Sequence, residues 1–159
     1  MTDSLLRPPD PTLEFVFEAR GKLADPIETG PVPRGHRRII PIGDGPFEGP
    51  RMRGNVLPGG ADWQLLRADG VAELEALYVL ETHDGARIHV HNRGIRFGPP
   101  EVMQRLGRGE IVDPSAYYFR TVPVFEAPPG PYDWLNRGIF ICTGARYPHD
   151  IVLRIYRVT

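Results

Sequence analysis

Four polar residues, Asp62, Gln64, Tyr78 and Asn92, fall on a strand face that is otherwise apolar. A carboxylate on such a face could serve as a general acid or base, because burial disfavours its charged form and raises its pKa. Buried polar groups cost free energy unless they are hydrogen-bonded. Three arrangements meet that requirement: an end of the sheet open to solvent, a mutually satisfied polar cluster, or the lining of a ligand pocket.

Other residues with chemical potential lie elsewhere in the chain. Arg120, in the run YYFRT over 117–121, either faces solvent or pairs with a carboxylate. Both faces of that strand are plausible interiors, and Asp62 is the natural partner if Arg120 points inward. Trp134 and Asn136 occupy a short connection where an aromatic ring and an amide could cap a pocket, with simple loop packing the plainer role. His89 and His91 form an H-x-H on one strand but have no third ligand at suitable spacing. A solvated face or a subunit contact is the expected use of that pair, and no bound metal is expected. Cys142 lies in the apolar run IFICTG, where a small buried hydrophobe is the expected role. No G-x-S-x-G, P-loop, H-E-x-x-H or G-x-G-x-x-G motif occurs, which argues against common hydrolase, nucleotide and nicotinamide chemistries. No cofactor is expected.

The elements that must position these residues are strands. Residues 60–94 read as three antiparallel strands joined by Ala68-Asp69-Gly70 and His83-Asp84-Gly85. Each loop suits a type I turn closed by a left-handed glycine, because glycine adopts positive φ without a Cβ clash. This register sets Arg67 opposite Val71 and Thr82 opposite Ala86. One face then holds Leu66, Ala72, Leu74, Ala76, Leu80, Ile88 and Val90 together with the four polar residues. The other holds Glu75, Glu81, His89 and His91, with Trp63, Leu65, Leu77 and Val79 among them. Covering the apolar residues of that outer face requires either the helix near 101–106 or a second subunit.

Around this meander the chain alternates at period two over residues 12–20, a strand with one buried face. Residues 25–35 (DPIETGPVPRG) have loop composition, and 36–42 read as a short strand. A weaker strand over 47–57 is interrupted by Gly49-Pro50 and Gly54. Pro58-Gly59-Gly60 allows a close approach of backbone or ligand. Residues 99–107 form the one clear helix, with prolines at its start and Gly107 as its stop. Strands over 117–125, 137–143 and 151–158 follow. Residues 1–11, with three prolines and few apolar side chains, are expected to be a mobile or loosely docked arm.

Composition agrees with this reading. The 159 residues suit one domain, spanning 12–159 beyond the arm. Their 18 Gly and 18 Pro favour many short strands over long helices. The predicted fold is all-β: an antiparallel barrel of roughly eight to ten strands with one short helix, a sandwich being the alternative. A net charge of −1 gives no support for nucleic-acid or membrane-surface binding. No signal peptide or apolar run of membrane-spanning length is present, so a cytoplasmic protein is expected.

The segments RIIP (38–41), LPGGADWQ (57–64), DGV (69–71), YYFRT (117–121) and WLNR (134–137) resemble, in the same order, a bacterial and fungal family, domain-of-unknown-function family 3237. The resemblance runs from about residue 13 to 158. It implies a small β-barrel and implies no reaction. It also draws attention to Asp62, Trp63, Arg120, Trp134 and Asn136, which lie in the matching motifs. Two functional classes follow for a pocket reached by Asp62 and Asn92. One is a cofactor-free isomerase, cyclase, lyase or hydratase acting on an oxygenated, partly apolar small molecule. In it Asp62 would be the acid/base, Arg120 and Asn136 the oxyanion stabilisers, and Tyr78 and Trp134 the walls. The other is a non-catalytic carrier, or a structural barrel, in either case within a homo-oligomer.

Overall fold

The two Asp-Gly turns set the register of the central meander. In the computed structural model, which describes residues 5–159, the Arg67 N–H donates to the Val71 carbonyl at 2.9 Å. The Thr82 N–H donates to that of Ala86 at 2.8 Å. Gly70 and Gly85 close the turns at φ of 88° and 90°. The strands they join are β5 (Arg53–Leu66), β6 (Ala72–Thr82) and β7 (Arg87–Phe97). Asp62 stands opposite Ala76, and Ala76 opposite Asn92, so all three share one face.

The remaining strands are β1 (Leu13–Lys22), β2 (Ile27–Val32), β3 (Gly35–Ile42), β4 (Gly45–Glu48), β8 (Tyr118–Glu126), β9 (Ile139–Arg146) and β10 (Asp150–Val158). Eight strands close a barrel in the order β5-β4-β1-β10-β9-β8-β7-β6, with β6 returning to β5. The long β5 makes this closure a fork. Its first half pairs with β4 and its second half with β3. At one end of the barrel, therefore, the wall beside β5 is β3, whose Ile42 bridges back to Leu23 after β1.

Several expectations are corrected by these pairings. Residues 25–35, read as loop, contain β2. It is an edge strand, which tolerates Pro31 because the missing N–H is not needed in an inner ladder. Its register shifts beside Gly30, where φ is 89°. The weak strand expected over 47–57 is the end of β4, a turn, and the start of β5. Pro123 pairs with Asn92 on β7, while the β8–β9 ladder extends only to Thr121 and Cys142. A proline therefore fits without breaking a ladder there. Part of the arm expected over 1–11 lies outside the described residues; residues 5–11 are exposed and carry no regular structure.

The two ends of the barrel differ. One is filled by aromatic rings: Phe17 lies 5.3 Å from Phe47 and 6.1 Å from Phe125, and Phe125 lies 5.0 Å from Phe140. Each such side chain taken out of water stabilises the fold by roughly 1.5–3 kcal/mol. The other end carries helix α1 (Pro100–Gly107), whose Val102, Met103 and Leu106 rest against the core. The helix thus sits at the barrel end. It does not cover the outer face of the meander, where Trp63 is 46% and Leu77 38% exposed. Among the described residues, no helix is long and apolar enough to cross a membrane.

Candidate functional site

Inside the barrel, beneath the α1 end, is a narrow cavity of about 50 Å³. Its deeper wall is apolar, with Ile40, Val56, Leu74 and Leu153 among the lining residues. Its polar residues come from neighbouring strands: Asp62 and Gln64 from β5, Tyr78 from β6, Asn92 and Arg96 from β7, Thr121 from β8 and Arg146 from β9. All follow from strand alternation, since residues two apart share a face.

Asp62 is held from two sides. Gln64 donates from Nε2 to Oδ2 at 2.7 Å, and the backbone N–H of Glu75 donates to Oδ1 at 2.9 Å. Arg38 donates from Nε to Gln64 Oε1 at 2.9 Å, completing a chain from guanidinium to carboxyl. Burial raises the pKa of Asp62. It outweighs the opposing hydrogen bonds from Gln64 and Glu75 and the attraction of Arg96 and Arg146. Burial also pushes up the Tyr78 hydroxyl and takes the Cys142 thiol up to about 12, so neither ionises readily.

Arg96 is 5% exposed. Burial, together with repulsion from Arg146 and Arg38, lowers its pKa to about 10. Its guanidinium lies 5.5 Å from the Phe119 ring centroid. Among the described residues, three buried side-chain atoms around the cavity find no hydrogen-bond partner of good geometry: Asn92 Oδ1, Arg96 Nε and Thr121 Oγ1, the last with only the Cys142 thiol beside it. Such orphans are uncommon in native proteins, because each carries an uncompensated desolvation cost.

The expected set of site residues divides into two groups. Asp62, Tyr78 and Asn92 line the cavity. Arg120, Trp134 and Asn136 do not, and the expectation that one of them walls it is corrected here. Arg120 is exposed on the outer face of β8, because Phe119 and Thr121 take the inward positions. Its guanidinium lies 5.2 Å from the Tyr118 ring centroid and donates to the Phe119 carbonyl. Trp134 and Asn136 belong to the opposite end of the barrel, in a 3-10 turn, Asp133–Arg137. There Tyr132 reaches the β6–β7 turn through a 2.8 Å bond to Asp84. Trp134 stacks under Arg51 at 3.8 Å, and Asn136 caps Ala127 through both its N–H and its carbonyl.

Arg96, Arg146 and Thr121 were not among the expected site residues. Continuing the alternation from Asn92 through Gly94 reaches Arg96, and from Cys142 through Gly144 reaches Arg146, so the signal was present. Gly60 marks a close approach of strands and opens no space, since a Cβ there would meet the Leu77 carbonyl oxygen at 2.4 Å. His91 lies outside the barrel, paired with Glu75 at 3.0 Å. Among the described residues, no three His, Cys, Asp or Glu side chains gather where a metal could bind.

Comparison with known proteins agrees with this architecture. The family model described as "Protein of unknown function (DUF3237)" matches residues 11–158. A UPF0311 protein of Rhodopseudomonas palustris is 45% identical over 150 residues, covering 93% of this chain and 98% of that protein. A crystal structure of a conserved protein of unknown function from Rhodopseudomonas palustris superposes with a TM-score of 0.90 at 41% identity. It covers 96% of this chain and 100% of that one. A structure described as an enzyme from Penicillium herquei has the same fold, with a TM-score of 0.73 at 22% identity over 97% of this chain and 98% of that one. By its sequence over residues 11–158 and by its barrel, the chain belongs to the DUF3237 family of proteins of unknown function.

Proposed function

We propose that the protein is a cofactor-free enzyme, an isomerase, cyclase or lyase, that moves a proton on a small oxygenated, partly apolar molecule. Asp62 is its general acid/base. The observation that carries this reading is the convergence of Asp62 with three unpartnered polar atoms on one cavity. A carboxyl whose pKa is raised by burial is a stronger base once ionised and a usable acid when protonated. The bonds from Gln64 and Glu75 hold it in place. Arg96 Nε would stabilise negative charge developing on a substrate oxygen, and Asn92 Oδ1 would accept from a substrate hydroxyl. Leu74, Tyr78 and Phe119 would enclose the apolar part. That the Penicillium herquei barrel is described as an enzyme agrees with this reading at the level of fold and says nothing of the reaction.

The test is conversion of a metabolite from a bacterial extract by the wild-type protein and by Asp62→Asn. The substitution keeps shape and removes the acid/base. An enzyme of this kind should lose roughly 100- to 10,000-fold in rate while remaining folded. A ligand that binds both proteins alike and leaves both unchanged would make the barrel a carrier.

A further inference from the structure

The cavity meets a second, wider hollow beneath α1. This vestibule is lined by Arg38, Arg96, Arg146, Met103, Leu106 and Pro148, among others. Arg96 and Arg146 line both spaces, so they stand at the passage between them. Around this passage are three guanidiniums and one carboxylate, Asp62, a net charge of 3 − 1 = +2 with Asp62 ionised. Among the described residues, none of the three arginines has a carboxylate within 4.0 Å, although the chain's surface holds many Arg–Glu and Arg–Asp pairs. Burial lowers the pKa of both Arg96 and Arg146, and repulsion adds to it: Arg146 and Arg38 act on Arg96, and Arg38 acts on Arg146.

An unpaired arginine on a solvated surface needs no explanation. One that is 5% exposed, with an orphaned N–H and two like charges beside it, does. Such an arrangement destabilises the empty protein and becomes favourable when an anion enters. Guanidinium groups also bind oxyanions through paired, charge-assisted hydrogen bonds.

We infer that the cavity takes an organic oxyanion, a small carboxylate with an apolar body, whose charged end rests on Arg96 and Arg146 at the passage, with Arg38 beside them, while its body lies inside the barrel. This rests on the ligand-binding reading above and adds the ligand's class. The apolar deeper wall excludes a bare inorganic ion as the best fit. The passage, with its excess positive charge, draws anions in from the vestibule. Held this way, a carboxylate would present its carbon chain to Asp62 from the positive end of the cavity.

The experiment is calorimetric titration of the full chain at low ionic strength with hexanoate, its neutral counterpart hexanamide, and inorganic phosphate. Expected is hexanoate binding at least about tenfold tighter than either, the ratio shrinking as salt is added. Arg146→Gln should cost about tenfold for hexanoate and leave hexanamide unchanged. Should that variant fail to fold, Arg38→Gln at the more open vestibule wall gives the same comparison. Equal binding of acid and amide, phosphate binding as tight as hexanoate, no hexanoate binding at roughly 10 mM, or arginine variants without effect would each overturn the inference. Failure of catalysis is separable. If hexanoate binds as expected and Asp62→Asn leaves metabolite conversion unaltered, the acid/base role falls and the anion site stands.

Discussion

Gln64 holds the Asp62 carboxyl at 2.7 Å and is itself held by Arg38 at 2.9 Å. Asp62 is thus oriented by a neutral amide that relays a guanidinium, and no direct ion pair pins it as a carboxylate. A direct Arg–Asp pair would depress the pKa of Asp62 and weaken it as a base. Gln64→Leu removes the relay and leaves Arg38 without its acceptor. It should lower turnover and shift the acidic limb of the pH–rate profile, whereas a merely structural Gln64 would change stability alone. The pH profile of the variant, measured beside its melting temperature, separates these roles.

Asp62 also leaves a signature in stability. Its folded pKa lies above the ordinary 3.8, because burial disfavours the carboxylate. The fold therefore favours the protonated form. That contribution is fully present below the unfolded pKa and is lost as pH rises through the folded value. Asp62→Asn carries no such dependence. The melting temperature of the variant minus that of wild type should be larger at neutral pH than near pH 4. A difference that shrinks as pH rises would mean that Asp62 is held as a carboxylate.

Arg96 is expected to trade stability for binding. It is buried without a carboxylate partner and beside two like charges. Arg96→Met keeps the volume and removes the charge. It should raise stability by about 1 kcal/mol or more and abolish binding of hexanoate. Equilibrium denaturation beside the titration checks both, and a destabilised variant would show that Arg96 is satisfied in the fold.

The candidate residues at the far end of the barrel give the opposite pattern. Asn136→Ala removes two hydrogen bonds to Ala127 and should cost on the order of 1 kcal/mol, with ligand binding intact. Arg120→Ala should change neither stability nor binding, since the side chain is exposed. Lost binding in either variant would place the site wrongly.

These two residues show where sequence reading stops. Alternation tells which face a residue occupies, and the two x-Asp-Gly turns fix the register. Asp62, Gln64, Tyr78 and Asn92 could therefore be placed on one face from the sequence. Alternation does not tell which end of a barrel a connection caps. Trp134 and Asn136 could not be separated from the site without the 3-10 turn's contact with Asp84. For Arg120, the strand's two faces were equally apolar, and its pairings with β7 and β9 decide between them. The strand β2 was hidden because an edge position tolerates proline and a bulge that an inner strand would reject.

The outer face of the meander predicts self-association. Trp63, Leu77, Val122 and Val124 are 46%, 38%, 50% and 60% exposed, and Leu77 neighbours His91, which neighbours Val124. Charges of both signs, Glu75 and Arg93 among them, share this face, so two copies related by a two-fold axis can match opposite charges. Light scattering should give a dimer or higher oligomer, and Val124→Lys with Leu77→Lys should yield monomer. A wild-type monomer at high concentration would refute the interface.

The proton-transfer role of Asp62 is tested most directly by isotope exchange. Protein is incubated in deuterium oxide with a metabolite extract, and the small molecules are read by mass spectrometry. Wild type should place deuterium on carbon in at least one metabolite that it also retains on a desalting column, and Asp62→Asn should retain that metabolite without labelling it. The same labelling by both proteins, or retention by wild type with no label at all, would contradict Asp62 as the acid/base.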